Sequence, residues 1–579
     1  MPNAPPATGK GLLYIADSLS AFALPSRLPP GATVNWSKTP FPLLERNGRL
    51  PFTTCEKILR RFESYCGVIA GLGFNAVSID DIAHFTAQQW YSDRLKAKIA
   101  DYAGLLVRLC EAAGHAGLSV FVTTDANFSS GNSRRHAHSD GAFLAEACTI
   151  LLRQFPSVSG VILRIGECDG LDVDHEMRSN LSVRTPAQAR SFMLSLLPLF
   201  EEQGRTLIVR TWTVGAFPVG DLMWNPATYR AVFDGITSPS LIVSHKYGTT
   251  DFYRYLGLNP LIFEGTQRKL VEFQARREYE GFGEFPSFVG DYYERLRHKL
   301  TRCETFAGIM VWSQTGGWSR FRSLTFMPGS SIYNEINTAV TVSLFANGDG
   351  VEAAVTRYCR LRAPHLDAAK LLRLLRLSSE VIDSLWYMPE FSRHSIFFRR
   401  TRVPPLLWVF WDTIVISATL RLFVRRFASG DGSNHTADAL AKIDEMQSIA
   451  VKINLDQKPF VLMRRTMQLF WLAREYFLGD PTPSLIQRIQ MEVDDYKREF
   501  PRSARFSVVC DFGSPHAETA VLWLMFRMLP RTSPPYRLTD KLFFNRLAAV
   551  VVPFVKAWNR RRLPAFVRER GMGFESLLR

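Results

Sequence analysis

Residues 240–284 read SLIVSHKYGTTDFYRYLGLNPLIFEGTQRKLVEFQARREYEGFGE. A short apolar run, Leu241-Ile242-Val243, gives way to polar Lys246 and Asp251. A second run, Leu270 to Phe273, carries Glu272 and leads into Gln274 and Glu278. Two strand-like pieces thus end in carboxylates on the same side of a connecting segment. A parallel α/β protein presents acid and base groups in this way, at the carboxyl ends of its strands.

Working outward, apolar runs of strand length alternate with longer amphipathic segments, the pattern of a parallel sheet built from βα units. The predicted strands are Ala32–Trp36, Ala76–Ile79, Leu118–Thr123, Gly160–Ile165, Thr206–Thr211, Leu241–His245, Leu270–Gln274 and Gly308–Ser313. Apolar residues at three- and four-residue spacing predict helices over Cys55–Ala70, Asp93–Ala116, Ala142–Gln154, Pro186–Glu202 and Phe288–Cys303. Eight strands with seven or eight helices over about 300 residues is the size of a (β/α)8 TIM barrel. An open doubly wound sheet is the competitor, but no Gly-x-Gly-x-x-Gly follows the first strand and no Walker motif occurs.

The expected organisation is an extended, Pro- and Ser-rich lead-in over residues 1–30, a barrel over 31–330 and an all-helical C-terminal domain over 331–579. Helical segments there are Ala353–Cys359, Leu366–Trp386, Leu440–Ile453, Val461–Phe477 and Leu485–Phe500. Pro405–Val424 approaches the length of a spanning helix, yet Asp412 and Arg421 lie within it, so a buried core helix is expected. Leu547–Trp558, followed by Arg560, Arg561 and Arg562, has the form of an apolar stretch with a basic edge. It reads either as a peripheral membrane contact or as a terminal helix packed on its own domain.

The 579 residues carry 70 Lys and Arg against 54 Asp and Glu, a net charge of +16. Such a balance suits acidic partners such as polyanionic glycans or anionic lipid, and equally a basic enzyme with no partner. No nucleic-acid-binding motif accompanies it. The eight cysteines are scattered with no CxxC pair, which excludes zinc-ribbon and thioredoxin-like sites and fits a reducing compartment. The N-terminal segment, interrupted by Asp17 and several serines, makes a poor signal peptide, so a cytoplasmic location is expected.

With Glu167 upstream, the opening stretch resembles glycoside hydrolase family 67, the α-glucuronidases. The family pattern Lys-x-Gly-x-x-Asp-Phe is matched by Lys246, Gly248, Asp251 and Phe252. The pattern Glu-Phe-Gln-x-x-x-Glu-Tyr-x-Gly is matched by Glu272, Phe273, Gln274, Glu278, Tyr279 and Gly281. The likeness spans roughly residues 50–360. It implies inverting hydrolysis without metal or cofactor, with Glu167 as general acid and Asp251 and Glu278 as the pair that activates water. An inverting enzyme holds its two carboxyl positions about 6.5–9.5 Å apart so that a water fits between them. Taken alone, Glu167 after its strand reads as readily as a surface residue or helix cap, Glu278 as a salt-bridge partner of Arg276 or Arg277, and Asp251 as a turn cap.

By the same resemblance, Lys246 and Arg210 recognise a uronic carboxylate, a task that suits the planar fork of arginine. Such cations equally suit neutralising the acids, and Arg164 stands in for a family lysine. Trp212 and Trp312 are candidates to stack on sugar faces. Asp125 and Asn127 at the end of the third strand, with Gln274 on the seventh, are candidates to bind hydroxyls, and Asp80 and Asp81 hold a similar position after the second. Two departures limit the match: too few residues precede the first strand for the family's N-terminal β-rich domain, and Cys168-Asp169-Gly170-Leu171 replaces the family's Gly-Gln-Pro-Gly after the acid.

The expectation is therefore a glycoside hydrolase acting on an anionic, uronic-acid-containing glycan or oligosaccharide. Alternatives are a polysaccharide lyase or transglycosylase on the same barrel, or a non-catalytic glycan-binding or membrane-peripheral protein. A homodimer through the helical domain is a further expectation.

Overall fold

The computed structural model describes residues 11–17, 21–23, 31–126, 128–130, 140–166, 172–173, 177–179, 183–213, 217–428, 436–513 and 530–532. Its centre is a closed barrel of eight parallel strands: β1 (Leu13–Asp17), β2 (Ala76–Asp80), β3 (Ser119–Asp125), β4 (Val158–Gly166), β5 (Thr206–Thr213), β6 (Leu241–Lys246), β7 (Arg268–Gln274) and β8 (Phe306–Trp312). Each strand pairs with its sequence neighbours, and β8 closes on β1 with Leu13 opposite Gly308 and Ala16 opposite Val311. The strands read as near-continuous apolar runs because the barrel packs one face inward while helices cover the other.

Those helices are α1 (Phe52–Leu72), α2 (Asp93–His115), α3 (Asp140–Gln154), α4 (Pro186–Glu202), α5 (Pro226–Phe233), α6 (Gly290–Leu300) and α7 (Ile332–Ala346). Local sequence fixes several ends. Thr185 and Gln188 form a reciprocal capping box at the start of α4, and Gly73 ends α1 in the left-handed region at φ 107°. The crossover from β6 to β7 contains only a 3-10 turn, Pro260–Phe263. Its chain is otherwise spent on the loop that carries Asp251.

The first strand corrects the sequence reading. Ala32–Trp36 is not a barrel strand: Val34 and Asn35 make a two-residue antiparallel ladder with Trp318 and Ser319. The barrel begins instead at Leu13–Asp17, inside the expected lead-in, where Ile15, Ala16 and Asp17 are fully buried. Closure at this seam depends on Gly308. Its φ is 132°, and a Cβ there would overlap the carbonyl oxygen of Leu13.

Beyond α7 the described residues are mostly helical: α8 (Val351–Arg362), α9 (Ala368–Val381) running into a π turn at Ile382–Trp386, then α10 (Ala418–Phe427), α11 (Thr436–Lys452), α12 (Lys458–Leu478) and α13 (Pro483–Glu499). It is not all-helical. Strands β9 (Val409–Phe410), β10 (Thr413–Ser417) and β11 (Ser507–Asp511) form a small sheet in which β10 and β11 run parallel. The core helix expected over Pro405–Val424 is thus two strands and the start of α10. Asp412 sits at the turn between β9 and β10 and accepts from the backbone N and Nε of Arg320, both at 2.9 Å, which accounts for an acid in an apolar stretch. No helix among the described residues is long and apolar enough to cross a membrane. The basic segment 547–562 lies outside the described residues.

Gly308→Ala is expected to lower stability by several kcal/mol, since left-handed strain and overpacking each cost on the order of 1–3 kcal/mol. A thermal melt of the variant at or near the wild-type midpoint would contradict this account of the seam.

Candidate functional site

Side chains at the carboxyl end of the barrel form a buried, charged layer. Arg210 on β5 reaches across the interior to Glu272 on β7, with Nε to Oε1 and Nη2 to Oε2 both 3.0 Å, and Ser244 on β6 adds a 2.7 Å bond to Oε1. Arg164 on β4 meets Asp80 on β2 at 3.0 Å and Asp125 on β3 at 2.8 Å. Lys38, from the loop after β1, donates to both oxygens of Asp125 at 2.6 and 2.7 Å. At the β1–β8 seam, Asp17 accepts from the backbone N–H groups of Gln314 and Thr315 at 3.1 and 2.6 Å. Arg210–Glu272 and Arg164–Asp80 join strands that are not neighbours and so span the lumen, and with the remaining contacts they form the floor of the barrel mouth.

The loops after β6 and β7 stand on that floor. Lys246, the last residue of β6, donates to Asp251 Oδ1 at 2.6 Å, and the Tyr279 hydroxyl donates to Oδ2 at 2.8 Å. The Lys246 ammonium lies 4.5 Å from the Trp212 ring, 4.6 Å from Phe252 and 5.1 Å from Trp312, measured to the centroids. Trp312 also carries the Arg210 guanidinium at 4.6 Å. Gln274, the last residue of β7, brackets Glu278: its amide donates to Oε1 and its carbonyl accepts from the Glu278 backbone N–H, each at 3.0 Å.

The two carboxyl groups are therefore held by different chemistry. Asp251 faces an ammonium and a phenol. Glu278 accepts from the neutral Gln274 amide, and burial, with the negative charge of Asp251 beside it, pushes its carboxyl up to about 8 against the pull of Lys246, Gln274 and the Gly317 N–H. Across neutral pH Glu278 therefore keeps its proton beside the Asp251 carboxyl and can donate it in a hydrogen bond. Asp81 follows the same rule at β2. Burial and the neighbouring Asp80 push it up to about 7 against Lys38, while its Oδ1 accepts from Ala83 N at 3.1 Å and Thr124 Oγ1 at 3.2 Å.

The structure brings Lys246, Asp251, Gln274, Glu278, Trp212, Trp312 and Arg210 together, and sets Arg164 and Asp125 in the adjoining part of the floor. Glu167 and Asn127 lie outside the described residues. Glu278 does not pair with Arg276 or Arg277: Arg277 turns to Glu280, and the Arg276 guanidinium lies 3.8 Å from the Trp36 ring. Sequence reasoning gave no role to Lys38, Glu272 or Tyr279. Glu272 and Tyr279 stand within the motifs quoted above, whereas Lys38 follows a misplaced strand and had no local signal. Among the described residues, no three His, Cys, Asp or Glu side chains are grouped to hold a metal ion.

No family model and no curated protein matches the chain, so the likeness to family 67 rests on the quoted motif residues. Similar solved structures include a "GH138 enzyme targeting pectin rhamnogalacturonan II", at TM-score 0.48 and 10% identity over 85% of this chain and 61% of that one. Another is "Structure of CpGH84B", at TM-score 0.36 and 11% identity over 81% of this chain and 71% of that one. This chain thus spans about three fifths of the length of the first. At such identities and scores neither bears on the chemistry.

The carboxyl of Glu278 predicts a pH dependence of stability. Folded, it keeps its proton up to about pH 8, whereas an ordinary glutamate releases it near 4.5. The folded state therefore binds more protons across that window, and stability falls as pH rises through it, by up to about 1.4 kcal/mol per unit. Denaturant unfolding of wild type and Glu278→Gln from pH 5 to 9 should show the two curves separating in favour of the variant as pH rises. Parallel curves would refute the shift.

Proposed function

We propose that the protein is a glycoside hydrolase, and that it cleaves a bond to a uronic acid unit in an anionic glycan with inversion. The observation that carries this reading is the placing of Asp251 and the buried Glu278, which keeps its proton at neutral pH, beside an ammonium and two tryptophans at the carboxyl end of a closed parallel barrel. Support also comes from the two family motifs that meet in this pair.

In this reading Asp251 takes the proton from the attacking water, and protonated Glu278 holds that water by a hydrogen bond. Glu167 supplies the proton to the departing oxygen, as two-carboxyl glycoside hydrolysis requires. Lys246 holds the Asp251 carboxyl in place through its 2.6 Å hydrogen bond to Oδ1. Glu272 occupies the Arg210 fork through two donors, whereas the Lys246 ammonium gives Asp251 one of its three, so Lys246 rather than Arg210 is the cation assigned to the uronic carboxylate. Trp212 and Trp312 present flat apolar surfaces on which a sugar ring stacks.

Wild type should release a uronic acid of inverted anomeric configuration from a panel of uronic-acid-containing glycans, read by proton NMR at early time. Turnover should decline as pH rises through about 8, where Glu278 loses its proton. Asp251→Asn and Glu167→Gln should each lower turnover on the order of 10²–10⁴-fold, the usual contribution of an acid or base. An unsaturated uronic product would replace hydrolysis with elimination, and unchanged turnover in Asp251→Asn would remove the assignment.

A further inference from the structure

The loops bearing Asp251 and Glu278 are bound to each other and to the helical region by a buried ionic knot centred on Glu280, two residues beyond Glu278. Arg254, three residues beyond Asp251, donates to Glu280 from Nε at 3.2 Å and from Nη2 at 3.0 Å. Arg277 closes on the same carboxylate from Nε at 3.1 Å and from Nη2, and Ser287 and Tyr387 complete its shell. Glu280 is fully buried, yet the two arginines outweigh that burial and hold its carboxyl far below the ordinary range.

Arg254 has a second set of partners outside the barrel. Its Nη1 donates to Ser379 on α9 at 2.7 Å and lies 3.3 Å from Asp383 in the π turn, and its backbone N–H donates to the Tyr387 hydroxyl at 3.2 Å. One guanidinium thus links the β6 loop, the β7 loop and the helical region. Nearer the pair, Tyr279 donates to Asp251, stacks on Tyr253 at 4.3 Å between centroids, and has its carbonyl held by the Trp386 indole N–H at 2.9 Å. Asp383 marks the outer end of the knot. Its side chain is 43% exposed and lines an open cavity of about 400 Å³ with Tyr255, Glu390 and His394.

We propose that Arg254, held from outside the barrel by Ser379 and Asp383, is a positioning residue that sets the separation of Asp251 and Glu278 through its grip on Glu280. The proposal rests on the reading of that pair as the working carboxyl groups. It gives the helical region a defined part in the site: the outer hold on a clamp whose jaws are the two loops. The fork geometry is essential, because one guanidinium must meet Glu280, Ser379, Asp383 and the Phe288 carbonyl at once, more directions than an ammonium can serve.

Arg254→Lys keeps the charge and removes the fork, and Ser379→Ala removes a neutral partner. Neither changes the net field at Glu278, so a change in its titration reports a change in geometry. The measurement is carbon-13 NMR of substrate-free protein labelled at the glutamate side-chain carboxyl, with the Glu278 signal assigned by its loss in Glu278→Gln. Wild type should titrate near 8. Both variants should titrate lower by about one unit or more, a tenfold change in proton affinity for each unit, as the loops part and Asp251 recedes. A midpoint within about 0.3 unit of wild type in Ser379→Ala, and in Arg254→Lys where it folds, would overturn the proposal even if thermal stability falls, because a purely structural knot would lose stability alone. If Arg254→Lys does not fold, Ser379→Ala decides. The titration needs no substrate, so failure of the hydrolase reading would show in the product screen and not here.

Discussion

Charge burial is the constraint from which the upper half of this barrel follows. An ionised side chain taken out of water costs several kcal/mol unless an opposite charge and further hydrogen bonds meet it. Here Arg164, Arg210 and Arg254 are each about 2% exposed. Each meets a carboxylate on a non-neighbouring strand or another loop, so pairing also fixes which elements stand opposite one another. Removing one partner would leave the other uncompensated, which makes the barrel mouth stiff without making it apolar. A rigid polar mouth is what a site needs if two carboxyl groups are to keep different protonation states.

Seven of the eight strands were legible because a strand buried on both faces has no choice but to be apolar, and the runs at Val158–Gly166 and Leu241–Lys246 stand out against amphipathic neighbours. Leu13–Asp17 was not, because five residues among prolines and serines carry too little pattern. What marks them as a strand is the partner Gly308, nearly 300 residues away. Ala32–Trp36 has strand composition but finds only a two-residue ladder. Pro405–Val424 failed for a related reason. Its apolar run suits a buried helix or a pair of buried strands equally, and the parallel pairing of Thr413–Ser417 with Ser507–Asp511 that decides the matter is non-local.

At the site, residue identity was legible and partnership was not. Polar groups placed just after apolar runs pointed to Lys246, Asp251, Gln274 and Glu278, because strand ends converge on one rim in any parallel barrel. Nothing in the spacing states that Arg210 is taken by Glu272 or that Lys38 reaches Asp125, since both depend on distances across the lumen. The same limit hid Glu280. In sequence it is one more acid in ARREYEGFGE, whereas in the structure it is the acid to which Arg277 turns, while Glu278 meets the Gln274 amide.

That diversion is one condition for Glu278 to keep its proton, since an arginine beside it would oppose the effect of burial. A carboxyl keeps its proton when burial and a neighbouring negative charge outweigh the cations and donors that favour its ionised form, and at Glu278 burial is the largest cause, followed by the charge of Asp251. Asp251 has the ammonium of Lys246, and Glu278 has Gln274 and the Gly317 N–H. Had Arg277 turned to Glu278, its charge would have favoured the ionised form of that carboxyl. Its pairing with Glu280 prevents this, and Arg254 meets the same carboxylate, so that two cations together offset the cost of burying that charge. The ionic knot and the protonated glutamate are therefore one arrangement: the arginines are spent two residues away so that Glu278 can stay neutral.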